Sequence, residues 1–182
     1  MRTFIAFNLP SSVKERLKNI QDLFKECNLK AKWVEPYNLH ITLKFLGNIK
    51  EEKINSIKEI LKKIGDQFYK LEVTLIDFGF FPSSSNPRVF FVSIDKEEAL
   101  TFIAQELEKE LTSLGFPQEK KFKSHITLAR IKEKKNIHLL KEKIKEVKLK
   151  DRFTLSEIAL FESILTSQGP IYKEIFKITL KN

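Results

Sequence analysis

The tetrapeptide His-Ile-Thr-Leu occurs twice in this chain, at residues 40–43 and 125–128, and the two copies hold two of the three histidines. In an extended strand, residues i and i+2 project from the same face. Each copy therefore places a histidine, His40 or His125, beside a threonine hydroxyl, Thr42 or Thr127, while Ile and Leu face the other way. A free imidazole has a pKa of about 6.5, so one such group can accept a proton while a second donates one.

Paired proton-transfer groups of this kind fit in-line phosphodiester chemistry. One imidazole removes a proton from the attacking water or hydroxyl, and the other protonates the departing alkoxide. The two threonines can donate hydrogen bonds to the non-bridging phosphate oxygens, whose charge must be stabilised. We expect no metal and no cofactor, because neither motif contains Asp or Glu and the single cysteine, Cys27, cannot form a cysteine-rich metal site.

The predicted elements around each motif follow one repeated order: strand, helix, histidine strand, helix, strand. The repeat covers approximately residues 1–87 and 88–182. Apolar periodicity predicts helices near 12–27, 51–64, 97–114 and 136–147, and strands near 4–7, 73–81, 90–94, 153–161 and 172–180. The link from Pro82 to Pro87 is the strongest turn signal, and it is either a boundary between lobes or a hairpin.

This order predicts an α+β fold in which two lobes, each an antiparallel sheet with helices, are related by a pseudo-two-fold duplication around a central cleft. The lobes are expected to intertwine as a single domain over residues 1–182. Such symmetry would bring both histidine strands to the shared cleft.

The composition predicts a compact globule with a real core, since 42% of the residues are hydrophobic and 16 are Phe. A net charge of +9 favours a polyanionic partner. The abundant Lys, Glu and Ile also fit a thermophile or a biased genome, and both explanations stay open. The apolar run Thr3–Leu9 is too short to span a bilayer, so we expect no membrane association and a cytoplasmic location. We also expect a monomer.

The two motifs carry a family resemblance that covers nearly the whole chain. Residues 38–47, Asn-Leu-His-Ile-Thr-Leu-Lys-Phe-Leu-Gly, and residues 124–130, Ser-His-Ile-Thr-Leu-Ala-Arg, resemble the paired HxTx signatures of the 2H phosphoesterase superfamily. Within it, the chain is most similar to the RNA 2',3'-cyclic phosphodiesterases, also called 2'-5' RNA ligases. Ser124 is a departure, because many relatives have Pro before the second histidine.

The resemblance implies a bilobal fold and an enzyme that hydrolyses a 2',3'-cyclic phosphate on an RNA end to a 2'-phosphomonoester. The RNA substrates would include tRNA-like fragments. It implies that His40 is the proton donor to the 3' oxygen and His125 the proton acceptor from water, although near-symmetry leaves this order open. Arg130 corresponds to an arginine that holds phosphate, but strand parity points it away from Thr127. Lys44 has the parity of His40 and Thr42 and is the competing cation.

Other functions and other ligand contacts stay open at this point. The same groups in reverse would give 2'-5' RNA ligation as the physiological reaction, and a protein that only clamps RNA ends would need no turnover. Four aromatic residues flank the motifs and either stack on nucleobases or pack in the core: Trp33, Tyr37, Phe45 and Phe122.

Overall fold

The computed structural model describes residues 1–119 and 121–182. Its strands are β1 (Arg2–Asn8), β2 (Ala31–Trp33), β3 (His40–Asn48), β4 (Leu71–Pro82), β5 (Pro87–Ile94), β6 (Ile126–Ile131), β7 (Arg152–Leu155), β8 (Glu157–Thr166) and β9 (Gly169–Thr179). Its α-helices are α1 (Ser11–Lys25), α2 (Ile54–Gln67), α3 (Glu97–Thr112) and α4 (Ile137–Ile144). Two short 3₁₀ helices, Pro36–Asn38 and Glu51–Lys53, precede β3 and α2.

The strands form two antiparallel sheets. The first sheet has the order β3-β1-β8-β9 and the second β2-β6-β5-β4-β7. Each sheet takes strands from both halves of the chain, because β8 pairs with β1 in the first sheet and β4 pairs with β5 and β7 in the second. The trio β3-β1-β8 in one sheet therefore matches β6-β5-β4 in the other, with a histidine motif at the start of the first strand of each trio.

The helices cover the sheet faces that carry the motif Ile and Leu residues. Helices α2 and α3 pack on the first sheet, and α1 and α4 pack on the second. Ile41, Leu43, Ile126 and Leu128 are all buried in this core. Burial of one face fixes the strand register, because a slip of one residue would expose every apolar side chain of the strand. His40 and His125 consequently lie on the opposite faces, away from the helices.

A β-bulge follows the threonine of each motif. In the first sheet the register passes from Ile5↔Lys44 to Ala6↔Thr42. In the second it passes from Phe90↔Ala129 to Phe91↔Thr127. The extra residue in β3 and β6 reverses the alternation of faces beyond it. The residues two places after the threonines, Lys44 and Ala129, therefore point into the core. The residues that follow them, Phe45 and Arg130, point away from it.

The predicted α+β class and the duplicated two-sheet arrangement are confirmed. The link Pro82–Pro87 is a hairpin between β4 and β5. The predicted strand over residues 153–161 is divided at Ser156 into β7 and β8, and the short β2 had no sequence pattern of its own. Over the part of the chain described here, no helix combines the length and the apolar character needed to cross a membrane.

Candidate active site

The structure brings the two histidine motifs together. Strand β3, at the edge of the first sheet, lies beside β6 of the second sheet. A positive charge on His125 lowers the pKa of His40, which requires the two imidazoles to be within electrostatic reach of each other. We call the surface between these strands the cleft, defined by His40, Thr42, His125, Thr127 and Arg130.

The His40 ring is fixed at both nitrogens. Its Nδ1–H donates to the carbonyl oxygen of Asn38 at 2.6 Å, and this assignment follows because a carbonyl can only accept. Its Nε2 lies 2.7 Å from the Thr42 hydroxyl oxygen. The Asn38 side chain is buried and donates to the carbonyl of Pro170 at 2.8 Å, which anchors the short 3₁₀ helix below the ring to β9. Nε2 is thereby the nitrogen of His40 that is available for proton transfer.

The His125 ring is held in a matching way. Its Nδ1–H donates to the carbonyl oxygen of Lys123 at 2.8 Å, again two residues upstream, so Nε2 is the basic nitrogen of the neutral ring.

Each imidazole also contacts two aromatic rings. His40 packs against Phe4 and Tyr172, with centroids 5.0 and 5.4 Å away. His125 meets Phe81 and Phe91 nearly edge to face, at 4.9 and 5.6 Å.

Gly79 is required by the aromatic support of His125. The ring of Phe91 lies over the backbone of Gly79, and a Cβ placed there would come 2.5 Å from the ring carbon Cζ. This close approach lets Phe91 stack on Phe81, with the centroids 4.2 Å apart. The absence of a side chain at Gly79 therefore allows Phe91 and Phe81 to take the positions in which they contact the His125 ring.

Burial lowers the pKa of both imidazoles. The pKa of His40 falls to about 4, chiefly because desolvation penalises the imidazolium, and the positive charges of His125, Lys14 and Arg130 lower it further. Burial also lowers the pKa of His125, while the carboxylate of Glu97 raises it. Burial therefore favours the neutral form of both rings in the free protein. An anion in the cleft would raise both pKa values and so allow one ring to become a proton donor.

Arg130 projects toward the cleft, contrary to simple strand parity. The bulge at Leu128 and Ala129 buries both of these residues and turns Arg130 outward, onto the face of Thr127. Its charge lowers the pKa values of His40 and His125. It also opposes the rise that burial causes in the pKa of Tyr172. One guanidinium thus acts on both imidazoles, which is the placement that a phosphate-binding cation needs.

Lys44, the competing cation, does not face the cleft. The prediction that it shares a strand face with His40 and Thr42 is wrong. The bulge in β3 turns it into the core, where its side chain is 2% exposed. Its ammonium lies 2.8 Å from a carboxylate oxygen of Glu108 and donates to the carbonyl of Pro117 at 2.7 Å. The residue that occupies the position of Arg130 in the first motif is Phe45, which is 59% exposed.

Three contributors to the site had no signal in the sequence. Lys14, on α1, lies close enough to lower the pKa of His40, and Tyr172, on β9, packs against the same ring. Glu97, on α3, acts on His125. All three come from distant elements, so only the tertiary structure reveals them. Within residues 1–119 and 121–182, no group of three or more His, Cys, Asp or Glu side chains is arranged to hold a metal ion.

The four flanking aromatic residues separate into two groups. Tyr37 is 62% exposed and Phe45 is 59% exposed. Trp33 and Phe122 are half-buried and pack against the core. Of the four, Phe45 lies beside the cleft, since its ring is 6.1 Å from that of Phe4, which contacts His40.

Two antiparallel sheets that bring duplicated His-x-Thr motifs to one cleft define a phosphoesterase of the two-histidine class. The residues 7–91 and 92–172 each match the family described as LigT like Phosphoesterase. The chain belongs to this family, within the 2H phosphoesterase superfamily.

Individual relatives agree with this assignment. The chain is 37% identical over 183 residues to an RNA 2',3'-cyclic phosphodiesterase of Archaeoglobus fulgidus, with 96% of this chain and 98% of the relative covered. The crystal structure of TT0787 of Thermus thermophilus is similar with a TM-score of 0.82 and 27% identity, covering 100% of this chain and 98% of that one. E. coli LigT complexed with 3'-AMP has a TM-score of 0.79 at 22% identity, with 100% and 98% covered.

Proposed function

We propose that the protein is a metal-independent RNA 2',3'-cyclic phosphodiesterase that opens a terminal cyclic phosphate to a 2'-phosphomonoester. The observation that carries the proposal is the pair of imidazoles, His40 and His125, each tied at Nδ1 to a backbone carbonyl and both within reach of the charge on Arg130. Two proton-transfer groups and one cation are the set that such a reaction needs.

The relatives support the choice of substrate. The Archaeoglobus fulgidus protein bears the name of this activity, and its similarity spans nearly the whole of both chains. The complex of E. coli LigT with 3'-AMP contains a ribonucleoside monophosphate, although its phosphate is on the 3' oxygen and that of the proposed product is on the 2' oxygen. The net charge of +9 favours an RNA substrate, because a basic protein attracts phosphate chains and displaces their counterions.

In the proposed reaction, Nε2 of His125 accepts a proton from water as the water oxygen forms a bond to phosphorus. The bond from phosphorus to the 3' oxygen breaks on the opposite side, and Nε2–H of His40 protonates that oxygen. The products are a 2'-phosphomonoester and a free 3'-hydroxyl. His125 ends protonated and His40 neutral, and exchange with solvent restores both rings. The assignment of donor and acceptor follows the family resemblance.

The remaining cleft residues stabilise charge in this scheme. Arg130 binds the non-bridging oxygens, whose negative charge grows as the five-coordinate state forms. Thr42 and Thr127 donate hydroxyl hydrogen bonds to the same oxygens. Since one chain supplies all of these groups, we propose that the enzyme acts as a monomer.

The test is incubation with a short RNA ending in a 2',3'-cyclic phosphate, with EDTA present and the phosphate isomers separated. We expect multiple turnovers to the 2'-phosphate, at a rate that EDTA does not change. Release of a 3'-phosphate, or a strict requirement for a divalent cation, would contradict the proposed chemistry. Stoichiometric binding without any product would indicate a clamp for RNA ends, and joined RNA as the dominant product would indicate a ligase.

A further inference from the structure

One peptide group links His125 to a carboxylate. The carbonyl of the Lys123–Ser124 peptide accepts the Nδ1–H of His125 at 2.8 Å. The N–H of the same peptide, carried by Ser124, donates to both carboxylate oxygens of Glu97, at 3.1 and 3.2 Å. The chain of hydrogen bonds therefore runs from the imidazole through a planar, conjugated unit to a negative charge.

The carboxylate of Glu97 is held in place by this contact. The Ser124 side chain is buried, at 1% exposure, and its hydroxyl also donates to Glu97 Oε2. Glu97 is the first residue of α3, so its backbone is fixed by the helix. Ser124 thus supplies both the N–H and the hydroxyl that hold the carboxylate of Glu97.

The matching peptide below His40 lacks a charged partner. The carbonyl of the Asn38–Leu39 peptide accepts the Nδ1–H of His40 at 2.6 Å. Its N–H, carried by Leu39, donates to the carbonyl of Pro36 at 3.2 Å. The two imidazoles therefore have the same local geometry. The peptide next to His125 donates its N–H to a carboxylate, whereas the peptide next to His40 donates its N–H to a neutral carbonyl.

We propose that Glu97 is a positioning residue for the general base and acts on His125 through the Lys123–Ser124 peptide. The inference rests on the proposed function. A carboxylate that accepts from the N–H polarises the peptide and makes its carbonyl a stronger acceptor. The stronger acceptor fixes the tautomer with hydrogen on Nδ1 and stabilises the imidazolium that forms when water is deprotonated. The aspartate of a Ser-His-Asp triad does the same by direct contact.

The asymmetry supports the assignment of roles to the two rings. His125, with the carboxylate behind it, is suited to gain a proton, and His40, whose peptide is bonded to a neutral carbonyl, is suited to lose one. Among residues 1–119 and 121–182, four charged or titratable groups face His125: Glu97 from α3, Lys123 beside it, Arg130 on β6 and His40 on β3. Glu97 is the anion among these four, so removal of its charge should lower the pKa of His125.

The first test is an NMR titration of the His125 ring in wild type, in Glu97→Gln and in Glu98→Gln. Glu98 lies in the same first turn of α3, so its variant removes an equal charge and serves as the matched control. We expect the pKa of His125 to be lower in Glu97→Gln than in wild type and to change much less in Glu98→Gln. Equal shifts in the two variants would show that the hydrogen-bonded contact of Glu97 with the peptide contributes nothing, and an unchanged pKa in Glu97→Gln would also overturn the proposal.

A second variant separates the peptide from the hydroxyl. Ser124→Ala keeps the backbone N–H and loses only the hydroxyl donor, so we expect the pKa of His125 to stay near its wild-type value. A decrease as large as that in Glu97→Gln would show that the hydroxyl, and not the peptide, carries the effect. Thermal unfolding of each variant checks that the fold is retained.

Kinetics then connect the contact to catalysis. We expect kcat of Glu97→Gln on the cyclic-phosphate RNA to fall roughly fivefold, the difference between a charged and a neutral hydrogen-bond partner. The acidic limb of its kcat/KM profile should move to lower pH. The titration needs no substrate, so absence of wild-type turnover would reject the proposed function alone, whereas normal turnover with no shift in Glu97→Gln would reject this inference alone.

Discussion

Replacement of His40 or His125 by alanine is expected to lower kcat on a 2',3'-cyclic-phosphate RNA end by at least about 10²-fold, the lower range for loss of a general acid or base. In the proposed mechanism, each ring supplies a proton transfer that water performs poorly at neutral pH. Because both transfers occur in one step, the double variant should lose far less than the product of the two single effects. Steady-state kinetics of the three variants measure this.

The third histidine provides the control for these variants. His138 lies on α4 and is exposed. His138→Ala should therefore keep wild-type kcat, and thermal unfolding should show that all of the variants remain folded. Wild-type turnover in either His40→Ala or His125→Ala would contradict the two-histidine mechanism.

Arg130→Ala is the second large effect that we expect, with kcat/KM lowered by about 10²-fold, as for removal of one donor that stabilises a developing oxyanion. Arg130→Lys should recover only part of the activity, because lysine keeps the charge but lacks the planar pair of donors. The loss should be found in kcat as well as in KM, since the negative charge on the phosphate oxygens grows toward the transition state.

Lys44 gives the contrast for Arg130. Lys44→Met leaves the Glu108 carboxylate, whose side chain is 13% exposed, without its cation, which is expected to cost about 3 kcal/mol of stability, the lower end for breaking a buried pair. Combining it with Glu108→Gln removes both charges and should restore most of the free energy of unfolding. The folded double variant is expected to keep kcat/KM within about twofold of wild type, because the pair lies behind the sheet. A loss comparable to that of Arg130→Ala would place Lys44 in the substrate site after all.

The contrast between Arg130 and Lys44 shows what the sequence can and cannot predict. The period of two correctly predicts that His40 and Thr42 share a face, as do His125 and Thr127. It fails two residues after each threonine, at Lys44 and Ala129, because each strand has a bulge directly after the threonine. A bulge is set by pairing with the neighbouring strands, β1 and β5, and no local pattern in β3 or β6 indicates it.

The supporting contacts of the two rings are likewise set by tertiary structure. Tyr172, Lys14 and Glu97 belong to three elements far from the motifs in sequence, and their residue types are ordinary for a strand or a helix. The duplication did predict that the motifs meet, because equivalent strands of the two halves occupy equivalent places in the two sheets. The repeat boundary at 87/88 stays a prediction.

The most direct measurement of the central claim is the titration of both imidazoles by NMR, with and without one equivalent of a nucleoside 2'-monophosphate. In the free protein, burial favours the neutral ring, and the pKa of His40 lies at about 4. A phosphate between the rings favours the imidazolium, so we predict that a single bound nucleotide raises the pKa values of His40 and His125 together. A nucleotide that binds with one-to-one stoichiometry but changes the pKa of only one ring, or of neither, would show that the two histidines do not act on the same phosphorus atom.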